Sequence, residues 1–399
     1  MVICFFQAGC NQLFAPLTLT RPTDDLRIGI CTIREKWELS LMPEFTTRIP
    51  EKPWDQVFSS SFPDNKDEVM WINPRWLPCP QAVKEVLALK PGQGLAFDET
   101  LVAVCADSAQ SREWFGQKIS KPDCQDIQTV TSGTFLGHLS DLFLQNGQEI
   151  IRDIERLGAE TLVNPDSYPG AFFCRPDHIY MEGGVQIDAG AVIDATNGPV
   201  YLGEGAHIMS GAVVRGPAAI CRSSVVKVGG IIYEETTIGP VCKVAGEIQN
   251  SILHSHSNKA HDGFLGNSLL GEWCNLGAGT TTSNLKNNYK PVNIPDWETG
   301  EKKPTALQFF GTVMGDHSKT AIQTRLSAGT LCGVSCNIFT DGFAPGHIPS
   351  FSWVSPSGPE PYHFDKAVET AEAMMRRRKV PLTDAYRQML RYIYDSGPK

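Results

Sequence analysis

Aliphatic side chains recur every six residues through the second half of the chain. Ile208, Val214, Ile220, Val226, Ile232, Ile238 and Val244 keep that spacing, and Ala206, Ala212, Ala218, Ser224, Gly230, Thr236 and Cys242 stand two places before them. The phase begins at Ile187 and Ile193, resumes at Phe264, Leu270 and Leu276, and returns at Met314, Thr320, Leu326, Cys332 and Ile338. A strand alternates by two and a helix turns in about 3.6 residues, so this period belongs to neither. It fits short strands wound into a three-sided parallel coil of about 18 residues, with the aliphatic inside the prism and the small residue at the bend. Gly203, Gly239, Gly277 and Gly315 follow the aliphatic position, where a side chain would crowd the corner or demand a positive φ. An antiparallel sandwich would alternate by two and would not hold small residues in one phase.

Residues 1–165 lack this period. Val2 to Phe6, Val69 to Ile72 and Leu101 to Cys105 read as buried strands, and Pro80 to Leu89 and Leu139 to Leu157 as helices, which together predict an α/β domain. A Pro-, Asp- and Gly-rich stretch from Asn164 to Asp177 is a plausible junction. The β-helix is assigned to 166–362 and a helical cap to 363–399, with helices from Asp365 to Arg378 and from Thr383 to Tyr394 parted by Pro381.

Among 399 residues, 44 are acidic and 35 basic, a net charge of −9 that argues against a non-specific nucleic-acid binder. No run of about 18 uncharged apolar residues predicts a membrane span, and the start of the chain lacks the basic lead and long apolar segment of a secretory signal. A cytoplasmic location is expected. The 12 cysteines show no repeated CxxC and read as small buried residues; Cys332 and Cys336 fall on interior positions of the repeat.

The hexapeptide signature resembles the left-handed parallel β-helix acyltransferases, and handedness is implied by that resemblance alone. It also implies a homotrimer with active sites between neighbouring prisms. An α/β nucleotidyltransferase-like domain followed by such a β-helix and C-terminal helices is similar to the bifunctional family that makes UDP-N-acetylglucosamine. In that family the acetyltransferase half carries K-A-G-H-x-x-Y-x-G, then N-x-G-A-G-T-x-T-x-N and a lysine. This chain has Lys259-Ala260-His261-Asp262-Gly263-Phe264-Leu265-Gly266, then Asn275 to Asn284 (NLGAGTTTSN) and Lys290, with one glycine missing before the histidine. The resemblance implies acetyl-CoA as cosubstrate and a sugar phosphate, glucosamine 1-phosphate first, as acceptor.

An imidazole with a pKa near 6.5 can take the proton of an attacking amine at neutral pH, so His261 is the candidate general base. Asn275 and Asn284 offer amide donors and acceptors to a sugar, and Lys290 suits a phosphate. A backbone N–H near Ala278 could hold the oxyanion, and its methyl leaves room for acetyl-CoA. Lys243 and Phe264 stand where the family places a phosphate-gripping cation and a tyrosine. The excursion from Leu285 to Phe310 is expected to fold over the cleft.

The N-terminal match is weaker. Pyrophosphorylases open with G-G-x-G-T-R-[LM]-x-P-L-T and then P-K, a loop whose amides and cations receive the triphosphate. Here Gly9, Pro16-Leu17-Thr18 and Pro22 survive, while Asn11, Leu13 and Thr23 replace the second glycine, the arginine and the lysine. Leu13 to Trp37 resembles an alternative, mostly Bacteroidetes, branch of the family. Gly9, Thr18, Arg21 and Arg27 are the candidate contacts for UTP or another NTP, with Mg2+ accompanying the nucleotide and Asp24, Asp25 or Asp98 as its candidate ligands. Alternatives are a sugar-1-phosphate nucleotidyltransferase of other specificity, a non-catalytic binding scaffold, and a β-helix carbonic anhydrase holding zinc through His254, His256 and another histidine. The Arg376-Arg377-Arg378-Lys379 run reads as a solvated helix end or as a grip on coenzyme A phosphates across a subunit boundary.

Overall fold

The first strand, Val2–Phe5, is apolar and buried on both faces, as a central parallel strand must be. In the computed structural model, which describes residues 1–7, 10–58, 61–63, 68–160 and 163–397, it pairs in parallel with Phe45–Arg48 on one side and Glu68–Ile72 on the other. Thr100–Asp107 continues the sheet antiparallel, and Gln93–Phe97 and Asp126–Val130 complete its six strands. Thr32 starts the helix Ile33–Leu41 with a capping box closed by Glu35. The helix expected from Leu139 to Leu157 is two, Asp141–Leu144 and Asn146–Leu157. The break places Asn146 so that its side chain accepts from Gly29 N and donates to Glu235 O, tying the two halves of the molecule together.

From Phe172 onward the chain winds as a parallel β-helix with sheets of nine, ten and six strands, the ten including one antiparallel end strand. On one face the inward row runs Ile187, Ile208, Val226, Val244, Lys259, with Thr320, Ile338 and Val354 further along. All of the seven unbroken aliphatics from Ile208 to Val244 are core residues, as are Cys332 and Cys336. At Gly239 a Cβ would sit 1.9 Å from His254 O, so this corner glycine is demanded by crowding rather than by φ. Phe264 corrects the phase: Leu265 pairs with Ile248 and fills the prism, while Phe264 faces outward half-exposed. Between Val244 and Leu276 the coils are shorter than 18 residues, with core positions at Ile248, Leu253 and Leu265, which moves the interior residue from Phe264 to Leu265.

The nine-stranded face is not solvated. Its outward row, Tyr201, Ala219, Thr237, Ile252, Leu269, Val313 and Leu331, is buried beneath the α/β domain. Ile150 and Ile154 pack on Tyr201 and Ala219, and Phe143 meets Phe310 edge to face at 5.3 Å. The terminal helices Phe364–Arg376 and Asp384–Ser396 pack with Trp54, Val334 and Phe351, bridging the α/β domain and the last coils. The excursion forms a small hairpin, Asn293–Pro295 with Lys302–Pro304, and buries Val292 and Phe310 in the α/β core. It therefore packs toward the N-terminal domain, not over the His261 cleft, because its apolar residues find their burial there.

Inside the α/β domain Lys36, fully buried, pairs with Glu149 at 2.9 Å and Asp153 at 2.6 Å, and Arg156 adds contacts to both. Burial alone would raise the Glu149 carboxyl, but Lys36 and Arg156 outweigh it and hold the group at about 2. A carboxylate depressed in the folded state stabilises the fold above its ordinary value of 4.5, and that contribution is lost as pH falls toward 2. Chemical denaturation followed across pH 5 to 2 should show a steep loss of stability in the native protein and a shallower one in Glu149→Gln; equal slopes would contradict the ion-pair account.

Candidate active site

A cavity of about 560 Å³ runs along one edge of the prism, where five successive coils turn the same corner. Lys227, Ala245, His261, Ala278 and Gln323 line it, one from each coil. His261 is exposed here, and no protein group among the described residues hydrogen-bonds its ring. This edge lies between the two prism faces that the α/β domain leaves open. Val228 and Ile322, 65% and 71% exposed, form its apolar rim.

The faces beside the edge carry polar ladders. One presents Lys243, Asn258, Asn275 and Lys319 in a single outward row. Asn258 donates to Asn275 Oδ1 at 3.3 Å and accepts from Arg378 at 2.9 Å. Lys319 is pushed down to about 8 by burial and donates to His317 O. Asn258 and Lys319 were missed from sequence because only strand register places them beside Asn275: a shortened coil separates the first from it and the long excursion the second. The other face carries Glu247 and Phe264 in one row.

Asn284 lies at a different edge from His261. It donates to Asn267 Oδ1 at 2.8 Å and, with the Phe264 ring, closes over Gly266. Lys290 is exposed on the excursion. Within one chain the structure brings His261 and Ala278 together, sets Lys243 and Asn275 on the adjoining face, and does not bring Asn284 or Lys290 to them.

The remaining histidines have other partners. His254 is buried in the domain interface, its Nε2 at 2.7 Å from Asp25 O and its Nδ1 at 3.4 Å from Glu272. His256 stacks on Trp273 with ring centroids 4.2 Å apart. His254 is therefore committed to the contact between the two halves, and no cluster of three metal-ligating side chains occurs among the described residues of one chain. Arg376 pairs with Glu372, while Arg378 bends onto the prism.

At the N-terminal end, Gly9 lies outside the described residues. Thr18 is buried, donates to Asn11 O, and lines a second cavity of about 580 Å³. Lys52, Glu51, Trp54, Trp297, His347 and Tyr392 also border it, drawn from the α/β domain, the excursion, the last coils and the final helix. It opens near the carboxyl ends of Val2–Phe5 and Phe45–Arg48, where open α/β sheets take ligands. Arg21 and Arg27 correct the expectation of phosphate contacts. Arg21 is buried between Asp316 (2.5 Å), Asp25 (3.2 Å) and Glu272 (3.4 Å), and Arg27 donates to His254 O and Ile30 O. Both join the halves of the molecule, and neither lines the cavity that Thr18 borders.

Nor do the described residues fit a magnesium ion. Asp24 is buried and held bidentately by Arg48 at 2.7 and 3.0 Å, Asp25 faces Arg21, and Asp98 sits at a hairpin turn with φ 48. Asp24 and Asp25 are thus each paired with an arginine, while Glu51 on the cavity wall accepts from the Asn11 amide at 2.8 Å.

The comparisons agree with this division. Residues 2–161 match the family described as sugar nucleotidyl transferase. The bifunctional protein GlmU of Methanocaldococcus jannaschii is 31% identical over 106 residues, 27% of this chain and 24% of that protein. GlmU of Methanococcus aeolicus is 33% identical over 103 residues, and that of Azoarcus sp. 25% identical over 204, covering 45% of this chain and 44% of that one. This chain spans about a quarter of the length of the archaeal relatives it matches and under half of the bacterial one. An Arabidopsis UDP-N-acetylglucosamine acyltransferase superposes on 53% of the chain at 14% identity and a TM-score of 0.27, too loosely to assign anything. The molecule is an α/β domain, matched over residues 2–161 by the sugar nucleotidyl transferase family, joined to a parallel β-helix. Over part of its length it is similar to the bifunctional GlmU proteins of archaea and bacteria.

Removing Arg21 leaves Asp316, Asp25 and Glu272 facing one another in the interface, a change that costs about 3–5 kcal/mol for a buried pair. Arg21→Ala should lower stability by that order in denaturant unfolding and expose the Thr20 to Arg27 segment to protease. Unchanged stability with weakened nucleotide binding alone would restore Arg21 to the ligand site.

Proposed function

We propose that the β-helix transfers the acetyl group of acetyl-CoA to the amine of an amino-sugar 1-phosphate, glucosamine 1-phosphate first. The α/β domain then transfers a nucleotidyl group from UTP or another NTP to the product, giving UDP-N-acetylglucosamine and pyrophosphate. The observation that carries the reading is the exposed imidazole of His261 in a cleft that also presents the small Ala278, flanked by the Lys243 and Asn275 ladder.

The chemistry follows from those positions. The amine nitrogen attacks the thioester carbonyl carbon while the imidazole accepts its proton. The tetrahedral oxyanion collapses, the C–S bond breaks, and the imidazolium returns the proton to the departing thiolate. In this reading a backbone N–H near Ala278 receives the oxyanion and Lys243 the sugar phosphate.

Two further features support an assembly of several chains, in our reading a homotrimer. The His261 edge is open and rimmed by the exposed Val228 and Ile322, and Asn284 and Lys290 lie at a separate edge. A neighbouring copy would bring the second edge to the first and close the cleft. For the nucleotide we assign the Thr18 cavity, supported by the family match over residues 2–161 and its place at the strand ends. No step is routed through a metal. Eleven free cysteines among the described residues suit a reducing cytoplasm.

Purified protein with acetyl-CoA and glucosamine 1-phosphate should release free thiol, and His261→Ala should lower kcat by about 10²–10⁴ with its fold intact. Thiol release unaffected by that substitution would refute His261 as the base. Failure with every amino-sugar phosphate would refute the acetyl-transfer reading.

A further inference from the structure

One inward position of the prism holds a charge. The row that contributes Ile208, Val226 and Val244 continues to Lys259, which is fully buried. In every preceding coil of this row the position is filled by an aliphatic that needs no polar partner. An ammonium there loses its hydration, and burial pushes the group down to about 8, against a smaller opposing pull from Asp262. At neutral pH it remains mostly protonated and requires acceptors.

It finds them in the loop that carries the imidazole. The Nζ donates to His261 O, to Asp262 O at 2.9 Å and, at the limit of hydrogen bonding, to Ala245 O at 3.5 Å. From the outside, Lys227 Nζ donates to Ala260 O at 3.3 Å. Three consecutive carbonyls, at 260, 261 and 262, are therefore held by two lysines, one inside the prism and one on its edge. No described residue hydrogen-bonds the His261 ring, so its location along the cleft follows its main chain.

We propose that Lys259 is a positioning residue for acetyl transfer: from inside the prism its ammonium pins the main chain of His261 and Asp262 and so sets where the imidazole meets the substrate amine. This rests on the reading of His261 as the base. A residue kept only to fill the prism would be served as well by a thioether or an isobutyl group, as the neighbouring coils show.

The test is Lys259→Met in the full chain, which keeps the volume and removes the donors. Exchange of a buried charge for an apolar group of similar size is often neutral or stabilising, so the thermal midpoint should be held or raised. The expected kinetic result is a fall in kcat for thiol release of about tenfold to a hundredfold, with KM for acetyl-CoA and sugar phosphate changed by less than about twofold. Lys259→Gln, which keeps an N–H donor, should recover part of the rate. Amide hydrogen exchange read by mass spectrometry should accelerate across 260–263 in Lys259→Met and stay unchanged in the coils before Val244. Native kcat and native exchange in that variant would overturn the proposal, and so would failure of both variants to fold, which would make the lysine structural. If the native protein acetylates no amino sugar, the acetyl-transfer reading falls, and the exchange experiment alone decides whether Lys259 holds the loop.

Discussion

Stacking of like on like down the interior of the prism is the constraint from which the rest follows. Each coil can hide its inward aliphatics only against the coil before and the coil after, so Ile208, Val226 and Val244 must lie in register. Parallel backbone ladders then fix every outward side chain as well. A residue one place from the interior, such as Asn275, is aligned with Lys243, Asn258 and Lys319 whether or not its neighbours in sequence have any chemistry. The corners are equally determined, which is how five coils come to deliver side chains to one cleft.

The α/β domain uses that regularity as a docking plane. It covers a single face through a buried row that runs from Tyr201 and Ala219 to Val313 and Leu331. The edge with His261 is thereby left on the far side, free to meet substrate and another chain. The two candidate sites are thus separated by the thickness of the prism, and the excursion, the final helix and the last coils complete the nucleotide-side cavity rather than the acetyl-transfer cleft.

Beside the Asp24–Arg48 pair, charge is buried in three further places, and each has a structural address. Arg21 joins the domains through Asp316, Asp25 and Glu272, Lys36 braces a helix of the α/β domain through Glu149 and Asp153, and Lys259 faces main-chain carbonyls inside the prism. Buried ions contribute little net stability compared with apolar packing, but they are costly to leave unpaired, so they specify one arrangement over its alternatives. Arginines that sequence placed beside a phosphate serve this purpose instead. The signal against a ligand role was the surrounding apolar run, Leu26 to Ile30, which requires burial.

Local periodicity, small-residue phase and terminal capping were sufficient to determine the three-part architecture, because each is a short-range demand of backbone geometry. The spacing from His261 to Ala278 was legible for the same reason: one turn of the coil returns the chain to the same edge. Tertiary structure alone decided that Phe264 points outward, that Asn284 and Lys290 lie apart from His261, that Arg21 and Arg27 belong to an interface, and that the excursion packs on the α/β core. These depend on shortened coils, on which face is covered and on where apolar side chains of distant segments find partners. Such choices are settled by burial between segments far apart in sequence, and no local pattern encodes them.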